Sequence, residues 1–328
     1  MRKSFFLSVL AIGAIVAGCS KVVDHSMEVN SVIAFDNYVG KDATTKAAIV
    51  EGVTSVNVNA YLHSKTSTGG AGFTSNFMEN QKVEKSGEAN WTYTPAKYWP
   101  AVDQTVDFVA WVPVTNAEVT DATLTFTVPS EDVTKQTDLL VAEPVLDQNR
   151  AGDNSAVNLK FKHLLSRIGF SIIATGMPGQ DDKTNIVELV HIKLNGKFAP
   201  SGTVDMTKAP VVTGTPEETT YTLTGDNFGY TNNIIIDGTA NNKADSYIML
   251  IPSGNEPESI EVTYTVTTKA DGQDDVVITN YSKFDLSSAY EAGKAYRYNF
   301  SITMQAISFS VEETPWDTES SQDITPAN

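Results

Sequence analysis

Residues 260–267 read Ile-Glu-Val-Thr-Tyr-Thr-Val-Thr, apolar and polar side chains in strict alternation. A period of two sends successive side chains to opposite faces of an extended chain, so such a run is a strand with one dry and one wet face. The pattern recurs. Val56, Val58, Ala60 and Leu62 are interleaved with Asn57, Asn59, Tyr61 and His63; Leu124, Phe126 and Val128 are separated by threonines; Val157, Leu159 and Phe161 are separated by Asn158 and Lys160. No window longer than about ten residues keeps a helical period, although 163–167 and 286–291 could each form one short helical turn. Gly-, Pro- and Ser-rich stretches at 64–73, 175–183 and 252–259 read as loops, and Asp271-Gly272 between two strand-like runs reads as a hairpin. The expected fold class is all-β, built from antiparallel β-sandwiches.

The phase of the alternation changes near the end. Tyr296, Tyr298, Phe300, Ile302 and Met304 sit on even numbers, whereas Ile307, Phe309 and Val311 sit on odd ones. One residue near Ala306 is extra, which predicts a bulge or a bend into a separate final strand. Residues 317–328 form a polar tail.

The other end carries an address. Arg2 and Lys3 precede an apolar run of about fourteen residues, the layout of a secretory signal peptide and too short for a comfortable membrane span. Val16, Ala17, Gly18 and Cys19 follow, and Cys19 is the single cysteine in the chain. Small residues before a cysteine resemble the lipobox of bacterial lipoproteins. There the bond before the cysteine is cut, and the sulfur and new amino terminus are acylated. A single cysteine cannot form a disulfide within its own chain, so Cys19 is read as an anchor held in a membrane by acyl chains, each buried methylene contributing about 0.8 kcal/mol.

With residues 1–18 removed, 310 residues remain, and loss of Arg2 and Lys3 takes the formal charge from −17 to −19. Nucleic acid prefers basic surfaces, so it is not an expected partner. At roughly 150 residues per domain the length suggests two. A polar stretch at 143–155 precedes the apolar 161–172. The reading is therefore a signal peptide at 1–18, a lipidated tether at 19–29, an N-terminal domain at 30–161 and a C-terminal domain at 162–316. No repeat of 20–50 residues is visible.

Chemistry is sparse. The four histidines, at 25, 63, 163 and 191, show no zinc-site spacing, and no metal or cofactor is expected. No G-x-S-x-G elbow, P-loop or dinucleotide fingerprint occurs. Asp271, Asp274 and Asp275 lack the ligand pattern of a calcium loop and read as turn chemistry. No nucleophile–base set is readable, so an enzyme is not expected. The stretch 91–113 holds Trp91, Tyr93, Tyr98, Trp99, Phe108 and Trp111. Exposed rings there would stack on sugars, making Trp91 and Trp99 candidate ligand-binding residues; the alternative is that these rings pack in a core or at a strand edge.

An ordered set of segments carries a resemblance. It runs from the lipobox at Cys19 through VIAFDNYVGKDATTKAA (32–48), YWPAVDQTVDFVAWVP (98–113) and DLLVAE (138–143). It continues through VNLKFKHLLSRIGFSI (157–172), SYIMLIPSG (246–254) and YEAGKAYRYNFSI (290–302), to a strand ending at Trp316. The chain resembles the fimbrillin-like (Mfa-like, FimA-type) surface lipoproteins of Bacteroidetes. That resemblance implies two tandem transthyretin-like sandwiches in a pilus subunit, or a related surface lipoprotein, at the outer membrane and cell surface. It implies that a protease cuts after a basic residue in an early loop, here Lys46, where many relatives have arginine, and that the released segment includes Val32 to Phe35. Arg150 is an alternative cut, but it would sever the first domain. The resemblance also implies partners: other fimbrial subunits by strand addition, in which an exposed backbone edge takes a strand from a neighbour. The donor strand would hold Ile307, Phe309 and Val311, unless that strand only completes its own sandwich. The competing expectation is a permanently anchored lipoprotein that binds host protein or glycan through loops and the 91–111 aromatics.

Overall fold

A computed structural model describes residues 31–39, 53–65, 73, 76–87, 90–149, 155–176, 184–225, 234–236, 247–269, 271–303 and 307–316. Ten strands lie before residue 164: β1 Phe35–Val39, β2 Ser55–Ser64, β3 Asn76–Ser86, β4 Asn90–Thr92, β5 Gln104–Trp111, β6 Ala117–Thr120, β7 Thr123–Thr127, β8 Leu140–Ala142, β9 Val145–Gln148 and β10 Val157–His163. Seven follow as far as residue 250: β11 Ser166–Ala174, β12 Asn185–Phe198, β13 Ser201–Asp205, β14 Val212–Thr213, β15 Glu217–Thr224, β16 Ile234–Ile236 and β17 Tyr247–Leu250. The last four are β18 Glu256–Thr268, β19 Val276–Asp285, β20 Lys294–Ile302 and β21 Ile307–Pro315. Among the described residues the only helix is one 3₁₀ turn, Val133–Lys135. Neither 163–167 nor 286–291 is helical: Ser166 already opens β11, and 286–291 is irregular. The fold is all-β.

The alternating runs become the expected strands. In β18, Ile260, Val262 and Tyr264 are buried while Glu261, Thr263 and Thr265 are half-exposed. β18 and β19 pair antiparallel from Thr268↔Val276 to Ser259↔Asp285, which makes the Asp-Gly segment a hairpin connection. The late phase change is a chain reversal: β20 ends at Ile302, β21 begins at Ile307, and the two pair antiparallel over nine positions. It is the bend into a separate final strand, not a bulge.

Three cores organise the sheets. β1, β10, β8, β5, β2, β3 and β4 form one sheet in that order, with β9 joined to β5. Its inner face holds Ile33, Phe35, Val58, Trp99, Phe108 and Leu159, all from residues 33–161. Two further sheets, β17-β11-β20-β21 and β15-β12-β18-β19, enclose a second core with Phe170, Leu194, Tyr221, Ile260 and Phe300. The fourth sheet, β14-β13-β7-β6, takes two strands from each side of residue 162. β13 pairs with β7 over five positions, Ser201↔Thr127 to Asp205↔Thr123. Between this sheet and the outer face of the first lies a third core holding Tyr61, Val109, Trp111, Phe126, Val204 and Trp316. The expected boundary near 162 therefore separates chain segments but not hydrogen-bonded sheets. β5 is buried on both faces, Phe108 toward one core and Trp111 toward another, so it reads as a nearly continuous apolar run rather than an alternation.

Candidate functional site

The first described segment, 31–39, lies between two neighbours. On one side β1 runs parallel to β10, from Phe35↔Val157 to Val39↔Phe161, and the Val157 N–H donates to the Ala34 carbonyl at 2.8 Å. On the other, Val32 faces Tyr98 in an antiparallel bridge. There the Ile33 N–H donates to the Lys97 carbonyl at 2.8 Å, and the Trp99 N–H donates to the Ser31 carbonyl at 3.1 Å. Residues 31–39 thus bridge β10, beside which β1 forms the end strand of the large sheet, and the 97–99 segment.

Two side chains at a spacing of two fill the interior. Ile33 is fully buried and Phe35 nearly so. The Phe35 ring lies 5.5 Å from Tyr93 and 5.7 Å from Phe108, the latter edge-on. Burying each of these side chains contributes roughly 1.5–3 kcal/mol. Tyr93 adds a polar clamp, its hydroxyl donating to the Ile33 carbonyl at 2.7 Å. Burial raises the Tyr93 pKa, with the Lys97 backbone opposing, so the hydroxyl keeps its proton and remains a donor. Without residues 31–39, the β10 edge and the 97–99 edge would both lose their partners above an apolar floor that includes Trp99 and Phe108.

The expectation that Trp91 and Trp99 present rings to a sugar is overturned. Trp99 is 1% exposed and Trp91 8% exposed. Trp99 packs edge-on against Phe108 at 5.9 Å, and both indoles belong to the core that Ile33 and Phe35 complete. Of that aromatic stretch, Tyr98 is the large ring left outside, 53% exposed. Cys19, Lys46, Arg150 and the 317–328 tail lie outside the described residues.

At the other end, β21 is an edge strand, paired only with β20 among the described residues. Ile307 is half-buried against the C-terminal core, while Val311 is 52% exposed. Its far end is fixed by Trp316, which is buried and stacks on the His163 ring at 4.6 Å with 11° between planes. The Arg167 guanidinium lies 5.1 Å from the centre of the indole. The Trp316 N–H donates to the carbonyl of Gly293, which sits at φ +67°, a left-handed backbone that glycine adopts without strain. Strand β21 therefore completes its own sandwich here, and Ile307, Phe309 and Val311 share one alternating phase along it.

The sequence missed one cluster. His63 on β2, Asp107 on β5 and Asp147 on β9 bring their ligand atoms within 4.8 Å of one another. The three are some forty residues apart in the chain, so no local spacing could have revealed them.

Comparison with known proteins places this architecture. A crystal structure of a fimbrial protein from Bacteroides vulgatus superposes with a TM-score of 0.66 at 18% identity, covering 87% of this chain and 99% of that one. A candidate cell adhesion protein from Bacteroides uniformis gives 0.53 at 19% identity, covering 87% and 99%. In sequence, the chain is 22% identical to the fimbrium subunit Fim1C of Phocaeicola vulgatus, over 94% of this chain and 95% of the relative. The sequence profile described as fimbrillin-like matches residues 43–316, most of the chain, and on that match the protein belongs to the fimbrillin-like family.

Proposed function

We propose that this protein is a structural subunit of a fimbrium that assembles by exchange of the 31–39 strand and supports cell adhesion. One observation carries the reading: the first described segment completes the N-terminal core from the end of the large sheet, bonded to β10 through 34–39 and to 97–99 through 31–33, as a separable insert would. A strand supplied by another subunit meets the same requirements if it offers backbone groups to β10 and to 97–99, with apolar side chains two residues apart for the sites of Ile33 and Phe35. Ile307, Phe309 and Val311 have that spacing, and β21 has one neighbour to leave rather than two. Release begins, in this reading, with proteolysis after Lys46, which frees the first strand from the body that follows.

The fimbrial name of the Phocaeicola relative and the family match support the coarse part of this reading. Export as a lipoprotein, with Cys19 acylated at the outer membrane, rests on the sequence 1–19. Brief trypsin treatment of the folded chain should yield a fragment starting at Ala47, followed by growth of polymers in size-exclusion chromatography. A fragment that starts at Ala47 and stays monomeric would overturn strand exchange. Mass spectrometry of the protein from intact cells tests the anchor: a triacylated Cys19 is expected, and an unmodified one would refute it.

A further inference from the structure

We propose that His63, Asp107 and Asp147 form a binding site for a divalent transition-metal ion of the zinc type. The strands bring them together by two devices. His63 pairs with Thr105 across β2 and β5, so Asp107, two residues further along β5, is its diagonal neighbour on the same face. In β9, Leu146 and Asp147 together stand opposite Asp107, because Val106 pairs with Gln148 and Phe108 with Val145. This is a bulge, and bulges re-aim side chains. Asp147 sits there at φ +54°, which costs a non-glycine residue energy although aspartate bears it better than most. Its N–H donates to Asp107 Oδ1 at 2.7 Å.

The result is three electron-pair donors facing one point. His63 Nε2 lies 3.1 Å from Asp107 Oδ1 and 3.6 Å from Asp147 Oδ1. His63 Nδ1 is 3.3 Å from the Ser64 carbonyl, a partner that holds the proton on Nδ1 and turns the Nε2 lone pair inward, as in many metal sites. Thr105 Oγ1 touches the ring at 3.2 Å from Nε2. Asp107 is 3% exposed, and a carboxylate so buried needs a positive partner.

Two cations can supply it. A proton on His63 leaves one positive charge against two carboxylates, a net −1 in a protein already strongly acidic. A doubly charged ion with neutral His63 and two carboxylates brings the cluster to zero. One imidazole nitrogen and two carboxylate oxygens suit zinc and its neighbours rather than calcium or magnesium, which prefer oxygen alone. The Asp147 side chain is 62% exposed, leaving a way in and room for a water as fourth ligand. The proton is the resident competitor: burial opposes charge on His63, but the hydrogen bond and charge of Asp107, with the Ser64 carbonyl and the Asp147 charge, together raise its pKa. A bound ion would tie β2, β5 and β9 together and raise the melting temperature.

Isothermal titration of the untagged, detergent-solubilised full-length chain with zinc chloride at pH 7.5 tests this. Saturable binding of one equivalent is expected, with a rise in melting temperature on loading. His63→Gln should abolish it, and Asp147→Asn, which removes the charge yet tolerates the left-handed backbone, should weaken it at least about tenfold. Asp147 is at the surface, so circular dichroism of that variant should match the parent. No saturable zinc binding overturns the proposal, and so does binding that both variants leave unchanged. Tighter binding of calcium than of zinc would refute the assigned metal class.

Discussion

The first and last described segments are both short, both alternate, and both carry apolar side chains two residues apart, yet they are held in opposite ways. Residues 31–39 have backbone partners on two sides, and Ile33 and Phe35 are sealed in a core. Strand β21 has one partner strand, and Val311 is half in solvent. The hydrophobic effect scales with area removed from water, so the first segment holds its domain together while the middle of the last one does not. The difference matches two roles in one exchange. A strand whose loss opens a core creates a receiving groove; an edge strand can leave without opening one, provided its anchor lets go. That anchor is Trp316, placed in the core shared by both halves rather than in β21's own sandwich.

Substitutions should break this comparison unevenly. The largest expected effect is Phe35→Ala, costing about 3–5 kcal/mol in urea unfolding because it leaves a cavity against Tyr93 and Phe108. Val311→Ala, in the same assay, should stay within about 0.5 kcal/mol. Equal costs at the two positions would erase the distinction. Next comes Trp316→Ala, at about 3 kcal/mol, with a second signature: faster amide exchange along β21 than along β20. Exchange that rises equally in both strands would mean that Trp316 does not anchor β21 in particular. Tyr93→Phe removes the bond to the Ile33 carbonyl and should cost about 1 kcal/mol, while speeding proteolytic loss of the first strand.

The smallest effect concerns the Lys294–Glu313 pair across β20 and β21, 3.0 Å apart at the surface. The Glu313 hydrogen bond, then its charge, raises the Lys294 pKa. A raised base stabilises the fold below its unfolded pKa, and that contribution is lost as pH rises through the folded value. Glu313→Gln should therefore lower stability slightly at pH 7 and not at all above the lysine range. It should also remove the salt sensitivity of β21.

Much of this was legible in the sequence because period two is a local signal. The alternations at 124–127, 157–161 and 260–264 each became a strand with the expected dry face. At 56–62 the Val56, Val58 and Ala60 face is buried as expected, but Asn59 and Tyr61 on the face expected to be wet are buried as well, Tyr61 in the third core. The shift near 306 correctly announced a separate last strand, since a reversal resets which side chains face inward. What failed was non-local. Nothing in 123–127 or 201–205 says that these strands pair with each other across 162. Trp91 and Trp99 look alike exposed or buried, because indole suits a core as well as a sugar. His63 was visible only as the polar member of an alternation; its partners arrive from two other strands, one of them through a bulge.

The central claim, that 31–39 is a replaceable insert, is tested most directly by locking it in place. Asp36 and Asn158 are exposed and lie opposite each other in β1 and β10, so cysteines there are placed to bridge at neighbouring-strand spacing. In a Cys19→Ser background, the D36C/N158C chain is cut with trypsin, oxidised or reduced, and its size followed by light scattering. The account predicts polymers from the reduced protein and monomers from the oxidised one, although both are cut after Lys46. Polymers from the locked protein would contradict it.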